Sequence, residues 1–137
     1  MNSKIEKVLE FDKIRAQLAE YATSEKGKQM IKELPIEVEE KAIQIKIEET
    51  ADGVELLRLK QGIPIPRLKD ISFALKRLEL EAGLNGRELS DILRVLTTTH
   101  EVERFFEKVE EEEIALKRIP RLVEKLESIP EVTKELE

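Results

Sequence analysis

The sequence predicts an all-α chain, an elongated multi-helix bundle forming a single domain over residues 1–137. Three observations carry that expectation. Apolar residues recur at alternating spacings of four and three, which is one face of a helix. No stretch shows the period-two alternation of a half-buried strand. Helix start and stop residues punctuate the chain from end to end.

The elements follow in order. Ser3-Lys4-Ile5-Glu6 has the form of a capping box and opens a first helix. Asp12 is placed to cap a continuation that carries Ile14, Leu18 and Tyr21 on one stripe. Thr23-Ser24-Glu25 restarts a helix with an N-cap hydroxyl and an acid in the first turn, and Pro35 ends it. The longest helix is expected from Glu37 to Gln61. Its Ile43, Ile47, Thr50, Val54 and Leu57 form a seam for a neighbouring helix, while Ile45, Leu56 and Leu59 lie off that seam and should stay partly exposed. Gly53 inside it costs about 1 kcal/mol relative to alanine, which points to close approach of another backbone. Gly62-Ile63-Pro64-Ile65-Pro66 then enforces an extended connection.

Asp70 caps the next helix and Gly83 stops it. Asn85 and Glu88 form a second capping box inside a Leu84–Leu89 staple, and the helix that follows carries Ile92, Leu96, Thr99, Phe106 and Val109 toward a core. Glu110 to Glu113 reads as a solvated acidic tip. A shorter helix is expected from Ile114 to Glu127, and Pro130 opens a last one.

Composition narrows function by exclusion. With no cysteine there are no disulfides, thiolate zinc sites or cysteine nucleophiles. Charged residues make up 39% of the chain, and charge-free runs reach only six residues, as in Gln61 to Pro66, so no membrane span or signal peptide is expected. A cytoplasmic location is expected. The net charge of −6, from 24 basic and 30 acidic residues, disfavours a dedicated phosphate-backbone surface. The candidate nucleic-acid contacts are Arg58, Lys60, Arg67 and Lys69, the basic residues of the one acid-free basic stretch, a pattern that is more often a solvated rim than a nucleic-acid site.

Motifs for chemistry fail on spacing. Gly27-Lys28 lacks the glycine five residues earlier and the following hydroxyl of a phosphate loop; Ala22 and Gln29 stand there. His100-Glu101 starts a zinc motif whose second histidine is replaced by Arg104, and His100, the only histidine, is expected at a core boundary. No catalytic, cofactor-binding or metal-binding residue is assigned, and the chain alone is expected not to be an enzyme.

The order of segments resembles the type-two MutS family. The resemblance rests on Leu9-Glu10-Phe11-Asp12-Lys13-Ile14, Thr23-Ser24-Glu25-x-Gly27-Lys28, Glu48-Glu49-Thr50 with Glu55-Leu56-Leu57, Gly62-Ile63-Pro64, Leu68-x-Asp70-Ile71 and Leu89-x-Asp91-Ile92. It implies that the chain is the first part of the helical core and lever region of a longer protein. In that protein it would connect a DNA-gripping clamp to an ATPase, with a nuclease domain at the far C-terminus. The implied parent is a homodimer that uses ATP and magnesium, acts on branched or recombination DNA to suppress homologous recombination, and takes the ribosome as an additional partner. Phe105-Phe106-Glu107 matches the mismatch-reading Phe-x-Glu pattern of related proteins, but its place within an amphipathic helix makes the match accidental. The alternative is a free-standing helical interaction module with no enzymatic activity, using the Ile43 to Leu57 seam.

The isolated chain should show no magnesium-dependent ATP turnover above a buffer blank. Turnover abolished by Lys28→Ala would overturn that expectation and restore the Gly27-Lys28 dipeptide as a phosphate site.

Overall fold

The structure, a computed structural model, describes residues 10–136, and the Ser3 to Glu6 capping box lies outside them. The described residues form seven helices: α1 Phe11–Ala19, α2 Glu25–Lys32, α3 Glu40–Lys60, α4 Ser72–Glu79, α5 Gly86–Glu111, α6 Ile119–Val123 and α7 Pro130–Leu136. The only extended pairing among them is an isolated parallel bridge between Ser24 and Leu68. The chain is all-α.

The α1–α2 pair forms one hairpin, closed where the Arg15 guanidinium donates to the Leu34 carbonyl at 2.6 Å and stacks over the Phe11 ring at 4.3 Å. Asp12 is not its cap. The helix starts from Glu10 in the left-handed region, without a side-chain cap, and Asp12 sits inside the first turn. Ser24 caps α2 as its sequence position requires, accepting the Gly27 amide at 3.0 Å.

The main core joins α3 to the C-terminal helices. Leu56 from α3 meets Val102, Phe106 and Val109 from α5, and Ile63, Ile114, Leu116, Ile119 and Val123 close around them. Phe105 and Phe106 pack edge to face, with centroids 5.2 Å apart. This assignment keeps Phe106 inside the core, as its apolar spacing requires.

The seam of α3 differs from the expected one. Leu56 is the most buried side chain, 1% exposed, whereas Ile47, Val54 and Leu57 are 56%, 60% and 63% exposed. The inward stripe runs through Glu48, Asp52 and Leu56, two of them acids. Asp52 is buried because its carboxylate accepts the backbone amides of Lys117, Arg118 and Ile119 at 2.7–3.1 Å. Beside it Glu48 takes the Arg118 guanidinium at 2.5 Å. A carboxylate that replaces water with three amides lies on the buried face of a helix, where hydropathy counts it as outward.

Three boundaries also move. The helix expected from Ile114 to Glu127 is only the five residues of α6, because 114–118 leave the helix to present their amides to Asp52. Helix α4 ends at Glu79 rather than near Gly83. Glu81 takes the left-handed position (φ 58°), the Ala82 amide closes onto the Arg77 carbonyl at 2.9 Å, and the Gly83 carbonyl instead accepts the Arg77 side chain. Helix α3 begins at Glu40, past the expected Glu37, and ends as expected at the Gln61-Gly62 turn. Gly62 has φ 111°, which L side chains rarely adopt. The Asn85–Glu88 box is present in both directions, at 2.8 and 3.2 Å. Of the expected α5 core residues, Ile92, Phe106 and Val109 are buried and Leu96 and Thr99 half-buried, while His100 is exposed rather than at a core boundary. Among the described residues, no helix is long and apolar enough to cross a membrane.

Asp52→Ala strands three amides and should cost about 3 kcal/mol in denaturant unfolding. Burial raises the Asp52 pKa, but the three amides together outweigh it and hold the carboxyl below its ordinary value. Its folded value therefore lies below the unfolded one, about 3.9, so its contribution is full above that pH and is lost as pH falls through the lowered folded value. Asp52→Asn should remove that part of the acid slope. An unchanged slope and unchanged stability would show that the carboxylate is not the clasp.

Candidate nucleic-acid interface

The basic stretch is positioned by the N-terminus of α2. Glu25 donates its amide to the Leu68 carbonyl at 3.0 Å and accepts the Asp70 amide on its carboxylate at 2.8 Å. Asp70 in turn accepts the Ser72 amide at 2.9 Å and its hydroxyl at 2.5 Å, which starts α4. Residues 67–70 are thus clipped alongside α2 before the chain turns. The Asp70 amide, with the Lys69 ammonium 3.4 Å away, lowers the Glu25 pKa. Serine hydrogen bonds lower that of Asp70.

The clip creates an open cleft of about 420 Å³ lined by Glu20, Tyr21, Thr23, Lys28, Arg67 and Lys69. Tyr21 is 85% exposed at its edge. Lys28 and Arg67 have no carboxylate within ion-pair distance among the described residues. The four sequence candidates therefore separate. Arg67 and Lys69 share this cleft, joined by Lys28, which the sequence argument had considered only as part of a phosphate loop. Arg58 instead folds back on Glu55, with contacts of 2.5 and 3.2 Å, and Lys60 pairs with Glu112 at the end of α5. The acidic tip is in this way partly neutralised. Spacing alone could not distinguish these fates, because Arg58 and Lys60 meet acids three and fifty-two residues away.

Gly27 has a structural use. A Cβ there would stand 2.8 Å from the capping Ser24 hydroxyl, so the residue frees the first turn for its cap. A larger cavity, about 530 Å³, lies between α5 and the C-terminal helices and is rimmed by Glu103, Glu107 and Glu110. Glu103 is occupied, accepting the Ser128 amide at 3.0 Å and its hydroxyl at 3.1 Å. The lining brings no histidine, hydroxyl or cation to its other carboxylates, Glu107, Glu110 and Glu124. Among the described residues, no three His, Cys, Asp or Glu side chains are grouped to hold a metal ion.

DNA binding by the isolated chain should be weak and salt-sensitive, in the 10⁻⁴ to 10⁻⁶ M range typical of non-specific contacts. Lys28→Ala with Arg67→Ala should reduce it and flatten the salt slope by about two. Arg58→Ala should leave it nearly unchanged. Submicromolar affinity at physiological salt, or binding indifferent to the cleft pair, would contradict the assignment in a fluorescence titration.

No family model matches the chain. Curated relatives match nearly all of it. The protein named Endonuclease MutS2 of Pediococcus pentosaceus is 41% identical over 136 residues. Those of Levilactobacillus brevis and Latilactobacillus sakei are 43% and 45% identical over the same length. Each alignment covers 99% of this chain and 17% of the relative. The resemblance read from the segment order and the similarity of these sequences agree: the chain belongs to the MutS2 family, as a segment spanning about 17% of its relatives' length.

Proposed function

We propose that the chain is the non-catalytic helical core of a MutS2 protein, linking a DNA clamp to an ATPase. The parent would be a cytoplasmic homodimer that uses ATP and magnesium and cuts or remodels DNA to limit homologous recombination. The ribosome would be a further parent-level partner. Relatives named as endonucleases support the parent's nuclease activity. The observation that carries the scaffold role is where the acids go. Glu25, Asp52 and Glu103 each bind backbone amides 25 to 67 residues away in sequence. These carboxylates brace the helices against one another instead of converging on a substrate, as a part that transmits force must.

An exposed apolar stripe on α3 also supports the second reading, a free-standing interaction module. The two separate in the full-length protein. If α3 and α6 transmit between DNA and ATPase, Asp52→Ala should lower DNA-stimulated ATP turnover several-fold while basal turnover persists. Full DNA stimulation in a folded Asp52→Ala protein would overturn the linking role. ATP turnover or DNA nicking by the isolated chain would overturn the non-catalytic one.

A further inference from the structure

The cleft beside the Glu25 clip holds an aromatic ring for which the fold has no use. Tyr21 is the chain's only tyrosine, and the chain has no tryptophan. It sits in the turn after α1, where its amide donates to the Leu18 carbonyl at 3.1 Å and the Ala22 amide to that of Ala19 at 3.2 Å. Ala19 is buried, so the turn is anchored while the ring stands 85% exposed. Among the described residues the ring packs on no other ring, and its hydroxyl has no hydrogen-bond partner. Lys28, Arg67 and Lys69 line the same cleft. Of its two carboxylates, Glu25 is committed to the Asp70 amide and Lys69, which leaves Glu20. Three cations against two acids leave one net positive charge in a space of about 420 Å³. That volume falls within the roughly 300–1,000 Å³ of small-ligand sites.

We propose that this cleft binds one nucleotide unit of a single-stranded nucleic acid, with the base stacked on Tyr21 and the phosphodiester held by Lys28 and Arg67. An exposed aromatic face flanked by cations accepts any unpaired base, because every base has a π-face. The charge points the same way. One net positive charge answers one phosphodiester, whereas a duplex carries a charge every ~1.7 Å along its axis. A duplex also keeps its base faces stacked inside, out of reach of Tyr21. The two contacts address base and phosphate, which DNA and RNA strands share. This deepens the nucleic-acid reading of the cleft and rests on it, and on no part of the linking role.

Tyr21 is its own reporter, since no tryptophan masks its emission. The chain is titrated with oligothymidylate, with oligouridylate and with a DNA duplex of the same length. Both single strands should quench the tyrosine emission, with Kd near ~10⁻⁵ M, and the duplex should not. In the anisotropy of an end-labelled strand, Tyr21→Leu should weaken binding about tenfold, the scale of one base stacked on one aromatic ring. Tyr21→Phe should restore it, each variant at unchanged helicity. In the full-length protein, a single strand carrying iodouracil should crosslink to Tyr21 on irradiation, as located by mass spectrometry. Equal binding of duplex and single strand without quenching would overturn the stacking and leave the cleft an electrostatic contact. No binding of either would overturn the nucleic-acid reading of the cleft as well. Displacement of the strand by an equally charged oligoglutamate would make an acidic protein segment the occupant, and crosslinks confined to other residues would place the strand elsewhere; each overturns the proposal.

Discussion

The Asp52 carboxylate holds this structure together. It reaches from the middle of α3 to three consecutive amides, those of Lys117, Arg118 and Ile119, across 65 to 67 residues of sequence. Those amides would otherwise be orphans at the start of α6. By satisfying them, Asp52 sets where α5 must end, how 114–118 turn back, and which side of α3 faces the core. Leu56, one turn further on, is buried as a consequence, and Val102, Phe106 and Val109 pack onto it. The Glu48–Arg118 pair fixes the same junction from the preceding turn.

The same device recurs at the other joints. Glu25 holds the Asp70 amide, and Glu103 holds Ser128 just before α7. A charged acceptor on a backbone amide is stronger and more directional than apolar contact. It suits a chain whose core is small: seven apolar residues are buried among those described, while twenty large ones stay exposed. Such a structure is braced at a few points. It is not filled, and it leaves apolar faces exposed. The open α3 face is a consequence of that arrangement, and the proposed scaffold role rests on it.

What the candidate interface looks like also follows from bracing. Once Glu25 clips residues 68–70, Arg67 and Lys69 have no freedom to join Arg58 and Lys60, although all four are close in sequence. Lys28 becomes their neighbour instead, from a helix forty residues earlier. Tertiary clipping, not sequence proximity, sorts the charges.

Local chemistry was legible in the sequence wherever a signal and its partner lie within one helical turn. Ser24 with Gly27 and Asn85 with Glu88 are such pairs, so the all-α class and these helix starts, with the one at Pro130, were settled by the sequence itself, whereas α4 starts from Ile71 and not from the expected Asp70. The family was legible too, from motif order. The facing of α3, the shortening of the Ile114 to Glu127 helix and the separation of the basic residues were decided only by tertiary structure. Each depends on a carboxylate finding amides or a cation dozens of residues away. Hydropathy scores such an acid as solvent-facing, and only the fold supplies the donors that let Asp52 be buried while Ile47, Val54 and Leu57 are left outside.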